Sequence, residues 1–354
     1  MTSFKERIKQ SYNCRRILSA FIYPVIWFLL KAEWLLQKIS GFFINKTITV
    51  FEGQKSLEPK VDRLTAKHLT PCRLTDYLHQ RIRKRDINLQ ASFASAVFLR
   101  TNYSFGLELP EMKLNEKPAG KKFAVALGLC TPETFLEDIP FSKVELIAGS
   151  VIKPVDEYSV RGVFVVKRED EILELATGRS FNGREQLDAH IAALLKNGFF
   201  RKDKWMVEQL IAGKDGGIPL DVKFNVFYGK VGWIEVIDRY PDEKFHIIDG
   251  SGNRILSEVN KSAEQFVSEG VTKEEMALAE QVSLQIPAPY IRIDFLRAPD
   301  GLCFCEFTPR TGALGFHNRK RDHKYGKMFH DAEARLAADL IAGKPFNVFN
   351  ETTT

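Results

Sequence analysis

The sequence is poor in cysteine: five in 354 residues (Cys14, Cys72, Cys130, Cys303, Cys305), scattered and without a C-x-x-C pair. That argues against a disulfide framework or a thiolate zinc site and fits a reduced, cytosolic compartment. The longest apolar run, residues 17–30 (ILSAFIYPVIWFLL), has 14 residues, short of the roughly 20 that a membrane-crossing helix needs. A small-residue cleavage signature that would make it a secretory signal is missing. There is no G-x-x-x-x-G-K-[ST] loop and no G-x-S-x-G elbow, so neither a P-loop site nor a hydrolase nucleophile turn is expected. Low-complexity tracts and repeats are also lacking. Aromatic and basic residues occur together, but without the signature of an RNA-binding module, and nucleic acid is not an expected partner.

What is present is an uneven charge. Residues 1–100 hold 18 Lys/Arg against 7 Asp/Glu, a balance of +11, so the remainder carries −5 of the overall +6. A basic part of this kind faces anionic lipid or an acidic polymer, or is simply a solvated surface. After Lys31 and Glu33 the apolar pattern resumes as WLLQKISGFFI. Trp27, Trp34, Phe42 and Phe43, flanked by Lys31, Lys38 and Lys46, suit a segment lying in a membrane interface. A helical pair buried in protein and a span tolerating two charges are the other readings. Pro24 kinks any helix here, which favours a bent, shallow segment.

Helical spacing covers about 74–99, and residues 103–116 read as a loop. The texture then becomes α/β. A short helix over about 118–127 precedes the turn GLCTPETF. VELIAGSVIKP and GVFVVKRE read as strands, REQLDAHIAALLKNGF as an amphipathic helix and WMVEQLI as a strand. KFNVFYG and KVGWIEVIDRY form a hairpin through Tyr228-Gly229-Lys230. Helix signals fill 260–286, strands PYIRIDFLR and LCFCEFTP flank Pro299-Asp300-Gly301, and a last helix covers about 329–342. Mixed helices and antiparallel hairpins predict an α+β fold rather than a doubly wound parallel sheet.

A site for magnesium and a triphosphate needs apolar strands ending in lysine, a flexible phosphate-covering loop, and carboxylates on adjacent strands. All three occur. Lys153 ends SVIKP and is followed by VDEYSVRG, whose Ser159, Arg161 and Gly162 offer a hydroxyl, a guanidinium and a backbone N–H. Asp294 in IRIDF and Glu306 in CFCEFTP sit on strands that a tight turn brings side by side. Such carboxylates can face one another across a metal, and would repel without a cation between them. The plainer reading of each residue, a solvated lysine or a surface acid, is weakest for this pair.

The order GLCTP, SVIKP with its Ser/Gly-containing loop, MVEQLI, DVKFNVFYGK, RIDF and EFTP resembles the ATP-grasp superfamily, closest to its TupA-like (teichuronopeptide biosynthesis) group, over about residues 112–330. The resemblance implies an ATP-grasp fold, two α+β subdomains clamping ATP, and leaves the first hundred residues to the reading above, which sets a helical, membrane-interacting N-terminal region before that fold. Together the two readings divide the chain into 1–50 (membrane-interacting), 51–148 (N-terminal helical and pre-ATP-grasp), 149–212 (lid), 213–345 (metal-binding) and 346–354 (tail). ATP and Mg2+ are the implied cofactors. Lys153 and Lys117 are the implied phosphate lysines, with Lys121 and Lys122 as rivals for the second place. Glu208, Gln209 and Leu210 match the hinge whose backbone reads the adenine edge. Lys223 matches a basic residue reaching the nucleotide or acyl phosphate, and Arg292 and Arg310 are placed to steady transferring charge. Asp294 and Glu306 match the metal carboxylates, and Thr308 stands where the superfamily usually has Asn, which puts one of two magnesium sites in doubt.

The implied reaction is carboxylate activation by phosphorylation followed by attack of an amine, in cell-surface polymer biosynthesis at the cytoplasmic face of the inner membrane. A kinase of a sugar or small molecule, or a nucleotide-binding membrane scaffold without turnover, are the alternatives. The cationic segment 315–327, read as a loop, suggests an anionic small-molecule or polymer acceptor. His317, His323 and His330 lack the compact spacing of a tetrahedral metal site. Arg239 reads equally as a salt-bridge partner or an acceptor-site residue.

Overall fold

The computed structural model describes residues 91–102, 107–157, 160–200, 202–255, 264–311 and 318–353, with Phe28, Lys31, Ala32, Leu35 and Ile39 singly. The chain divides into two units, Met1–Gln90 and Ala91–Thr354. The expected membrane segment and the helix over 74–90 lie outside the described residues, apart from those five. All five are helical, and Phe28, Leu35 and Ile39 are exposed. Among the described residues no helix is long and apolar enough to cross a membrane.

In the second unit, period-two alternation builds two sheets. α1 (Phe93–Asn102), α2 (Pro110–Lys113) and α3 (Lys117–Ala126) come first. The first sheet then uses β1 (Thr134–Ile139), β2 (Ser150–Pro154), β3 (Phe164–Arg168), β4 (Glu171–Glu174), β5 (Ser180–Phe181) and, after helix α4 (Arg184–Lys196), β6 (Trp205–Gln209). Its order is β1-β6-β2-β3-β4-β5. The sheet therefore takes in residues well before position 149. Ile152, Phe164, Val166, Trp205 and Val207 point to one face and share a core with Leu187 and Ile191 of α4. The alternate residues Val151, Lys153, Met206 and Glu208 are left for the other face.

The second sheet has β7 (Asp221–Val226), β8 (Val231–Asp238), β9 (Lys244–Asp249), β10 (Arg254–Ile255), β11 (Glu264–Gln265), β12 (Ile291–Ala298) and β13 (Gly301–Thr308). Its order is β10-β9-β8-β7-β12-β13, with β11 pairing β9. Val222, Phe224, Val226, Ile234, Val236, Ile293 and Phe295 are fully buried. Helix α5 (Lys273–Ser283) packs on β7 and β8. It starts at 273, not 260, because Thr272 and Glu275 close a capping box there and Gly270, at φ 78°, breaks any earlier turn. Residues 264–265, expected in that helix, are strand.

On the opposite face Trp233 stacks beneath α1 and α6 (Arg319–Ile341), with ring centroids 5.4 Å from Phe93 and 4.4 Å from Tyr325. Helix α6 begins ten residues before the expected position, capped by Asn318, whose side chain accepts the Arg321 N–H at 3.0 Å. The cationic stretch from 319 to 327 is thus helix rather than loop. Its His323 and Asp322 accept N–H groups of Ala91 and Ala94 at the start of α1, at 3.1 and 2.9 Å. Those side chains cap a helix instead of meeting an acceptor. His330 is exposed and bonds Glu333, and His317 lies outside the described residues. Helix α7 (Asn347–Thr353) packs on α3.

Candidate active site

β12 lies between β7 and β13, so its residues 292–296 have a partner on both sides. Asp294 faces Lys223 on β7 and Glu306 on β13, and Arg292 faces Asn225 and Thr308. Residues opposite one another in an antiparallel pair project from the same face. Lys223, Asn225, Arg292, Asp294, Glu306 and Thr308 therefore share one polar face on an otherwise apolar sheet.

Glu306 reaches that face through an irregularity. Phe295 pairs with Phe304 and Asp294 with Glu306, leaving Cys305 as the extra residue of a β-bulge. Without it the register would set Glu306 opposite Ile293, which is buried in the core. The bulge re-aims one carboxylate toward the other.

Asp294 is 2% exposed. Its Oδ1 accepts from Arg292 Nε at 2.7 Å, and its Oδ2 from Arg292 Nη2 at 2.8 Å and Lys223 Nζ at 2.5 Å. Burial by itself would raise its pKa, but the two cations overcome this and hold the carboxyl below the usual range. Burial would likewise lower Lys223, yet Asp294 and Asp221 raise it, and Arg292 is raised by Asp294 against the same penalty. Arg292 Nη2 also donates to Thr308 Oγ1 at 3.0 Å. The Thr308 hydroxyl is thus a partner of Arg292. Glu306 is half-buried and makes no hydrogen bond or ion pair among the described residues.

The lysines arrive from α3 and β2. Helix α3 lies tight on β13: a Cβ on Gly120 would come within 2.9 Å of the Leu114 carbonyl and 3.4 Å of the Phe307 ring. One helical turn apart, Lys117 and Lys121 leave the same side of it. Lys117 Nζ donates to the carbonyls of Pro154 and Glu157 at 2.9 and 3.1 Å, at the base of the 155–162 loop. Lys121 Nζ donates to Glu208 Oε1 at 3.1 Å and to Thr134 Oγ1, and Lys153 Nζ pairs with Glu208 Oε2. Lys122 is exposed. Burial lowers the Lys117 pKa, helped by Lys153, while Glu306 opposes. For Lys153 the burial penalty is outweighed by Glu208, with Glu306 adding to the rise. Lys117, Lys153, Glu208 and Glu306 thus share one electrostatic neighbourhood.

Other expected residues are placed differently. The N–H groups of Gln209 and Leu210 donate to Glu133 and Gly149 carbonyls, both at 2.8 Å, so neither is free for an adenine edge. Arg161 turns onto the segment that follows α4, donating to the Phe199 carbonyl at 2.5 Å and stacking 4.0 Å over that ring. Gly162 has φ 73°, and a Cβ there would sit 2.6 Å from the Phe200 ring. Its need is steric. Ser159 lies outside the described residues. Arg310 is exposed, two residues past β13, with its guanidinium 6.0 Å from the Phe98 ring. Arg239 is a salt-bridge residue, held by Asp221 at 2.8 Å and by Glu243.

Residues not singled out in the sequence complete the polar face. Tyr290 Oη donates to Asn225 Oδ1 at 2.6 Å, Asn225 bonds Glu235 at 3.4 Å, and Trp233 Nε1 donates to Glu235 at 2.8 Å. Thr311, fully buried, receives Arg292 Nη1 at 3.4 Å. The available signal was parity: Asn225 is two residues from Lys223, and Glu235 is opposite it. The cysteines also gain a pairing, Cys130 Sγ lying 2.9 Å from Cys303 Sγ.

The donor set suits magnesium and a triphosphate. Asp294 uses three of about four lone-pair sites on its cations, and Glu306 opposite is uncommitted. Among the described residues no group of three or more His, Cys, Asp and Glu converges. Magnesium takes one or two carboxylates and completes its shell with phosphate and water, and needs no such group.

A comparison with curated proteins finds no match. Among solved structures the chain is similar to D-alanine–D-alanine ligase from Bacillus anthracis complexed with ATP (13% identity, TM-score 0.36, 76% of this chain and 75% of that one). It is also similar to D-cycloserine synthetase DcsG (17%, 0.38, 69% and 79%). The ATP-grasp ligase PsnB with minimal precursor, Mg and ADP is a third (15%, 0.36, 77% and 74%). Matched by the model of the TupA-like ATP-grasp over residues 98–330, the chain belongs to that family, whose cofactors are ATP and Mg2+.

Proposed function

We propose that the chain is a carboxylate–amine ligase that activates its carboxylate with MgATP and acts on an anionic small molecule or polymer in cell-surface polymer biosynthesis. The observation that carries this reading is the convergence of Lys117, Lys121 and Lys153 on one side with the Asp294–Glu306 pair on the other. Magnesium held by Asp294 and Glu306 would neutralise triphosphate charge and polarise the phosphoryl group. Lys117 and Lys153 bind phosphate oxygens, and Arg292, pinned by Asp294 and Thr308, steadies charge on the phosphoryl group in transfer. Lys223 keeps Asp294 ionised. The substrate carboxylate forms a bond to the γ-phosphorus as the bond to ADP breaks. The amine nitrogen then attacks the acyl carbon, phosphate leaves, and the nitrogen loses a proton.

The relatives' printed activities, joining D-alanine to D-alanine among them, are in keeping with such chemistry. Residues 17–44 would rest on the inner face of a membrane; the exposed Phe28, Leu35 and Ile39 support this. Incubation with MgATP, candidate carboxylates and amines, with products resolved by mass, tests the reaction. An amide with ADP and phosphate is expected. A phosphoester would show a kinase, and nucleotide binding without either product a scaffold.

A further inference from the structure

Glu208 is a carboxylate shared by two ammonium groups. It is 6% exposed, and its two oxygens are divided between Lys121, on helix α3, and Lys153, on strand β2. Thr134, opposite Glu208 on β1, receives a second bond from Lys121. A lone Lys153–Glu208 pair would be electrically neutral and would do little to attract an anion. With Lys121 added, the cluster carries one net positive charge, and Lys117 beside it makes two. Glu208 is also held from both sides, so the rotamer through which it holds Lys153 is fixed.

We propose that Lys121 is a positioning residue of the nucleotide-phosphate site: anchored on Thr134, it shares Glu208 with Lys153 and so leaves the Lys153 charge aimed and available to phosphate. The role is distinct from that of Lys117, whose ammonium donates to the carbonyls of Pro154 and Glu157 and keeps a third N–H for phosphate. The inference rests on the nucleotide reading given above.

Its test is calorimetric binding of MgATP and of adenosine to the full chain carrying Lys121→Met, Lys121→Arg or Thr134→Val. Lys121→Met is expected to weaken MgATP about tenfold, the equivalent of about 1.4 kcal/mol, while adenosine changes less than about twofold. Lys121→Arg keeps the charge and should restore most of the loss. Thr134→Val, which frees Lys121 but keeps it, should weaken MgATP about threefold and guards against misfolding of the methionine variant. An equal loss for MgATP and adenosine would make Lys121 merely structural and overturn the proposal, as would unchanged MgATP binding in both variants. Failure of the wild-type chain to bind MgATP would overturn the nucleotide reading, and this inference with it.

A second observation stands apart from these lysines. Cys130 is exposed in the connection between α3 and β1, and its carbonyl accepts the Phe304 N–H at 2.7 Å. That bond draws the connection alongside β13 and sets the Cys130 and Cys303 sulfurs 2.9 Å apart. We infer that the two thiols form a reversible cross-link under hydrogen peroxide. The accessible Cys130 sulfur attacks the peroxide and becomes a sulfenic acid as the O–O bond breaks; Cys303 sulfur then displaces water from it. The two sulfurs together give two electrons to the peroxide, and two waters carry off its oxygens and the thiol protons.

Native protein treated with hydrogen peroxide and alkylated should yield a 130–303 linked peptide that dithiothreitol cleaves, with slower hydrogen exchange over 128–139. Cys303→Ala should lose the link and leave a dimedone-reactive Cys130. Cys130 oxidised to sulfinic acid without a link in the wild-type chain overturns the inference.

Discussion

Asp294→Asn isolates what the buried cations owe to their carboxylate. The substitution is nearly isosteric, but it leaves Lys223 and Arg292 beside a neutral amide in a place where Asp294 is 2% exposed. Breaking a buried pair by removing one partner costs about 3–5 kcal/mol. The lower end applies here, because Asp221 remains 3.6 Å from Lys223 Nζ and can take part of its charge. About 3 kcal/mol corresponds to a hundredfold or so in an opening equilibrium. Native-state hydrogen exchange over 221–226 and 291–298 reads this locally, without assuming that the whole chain unfolds as one unit.

The pH dependence gives a second handle. The Asp294 carboxyl is held low when folded, so its stabilisation is complete above the unfolded value of about 3.9 and is lost as pH falls toward the folded value. Lys223 is raised by Asp294 once the burial penalty is overcome. Its contribution is complete below the unfolded value of about 10.4 and is lost only as pH rises through the higher folded value. Asparagine should remove the acid limb and weaken the alkaline one. Exchange within about threefold of wild type at pH 7, or an unchanged acid limb, would refute the reasoning. In the Lys223→Met background the cost of Asp294→Asn should shrink, since one of the stranded charges is gone.

Three further outcomes follow from single positions. Glu306→Gln should abolish magnesium-dependent nucleotide turnover, by a hundredfold or more, with no fall in Tm, because Glu306 has no partner among the described residues; a large drop in Tm would show it to be structural. Ser150→Ala should stabilise the first sheet in urea by about 1 kcal/mol, since the Ser150 hydroxyl is fully buried with no hydrogen-bond partner; destabilisation would mean that the hydroxyl has a partner. Gly162→Ala should cost about 2 kcal/mol or more, from a positive φ together with a Cβ 2.6 Å from the Phe200 ring, and the loss should be partly relieved by Phe200→Leu.

Much of the fold was legible because the informative strands alternate cleanly. IRIDF and CFCEFTP around a Pro-Asp-Gly turn predicted β12 and β13, and SVIKP and WMVEQLI predicted β2 and β6. Local chemistry alone sufficed there. The short strands β4, β5 and β10 were missed, having too few residues for a period to show, and β9 was missed because the apolar residues of KFHIID do not alternate cleanly. The N-terminus of α6 was misread because a lysine- and arginine-rich stretch looks like a loop until His323 and Asp322 are seen capping a helix that lies far away in sequence. Arg161 and the hinge amides of Gln209 and Leu210 matched a pattern, but their bonds go elsewhere, to groups that only the fold brings near. Lys121 was visible as a rival to Lys117, yet its tie to Glu208 depends on α3 lying against β13. Long-range placement, rather than residue type, separates what was read from what was not.

The bulge at Cys305 makes pairing register, as much as residue identity, a constraint on this hairpin. Before it, β13 counts its inward and outward residues in one phase; beyond it, the count is advanced by one. Deleting Cys305 would leave Glu306 opposite Asp294 in an unbroken ladder, whereas a chain of the same length that paired without the bulge would exchange the two faces of everything downstream. Glu306 and Thr308 would turn into the apolar layer and Phe307 out of it. Substitutions along this strand are therefore local events, whereas a slip that irons out the bulge is a change of reading frame, written in backbone hydrogen bonds.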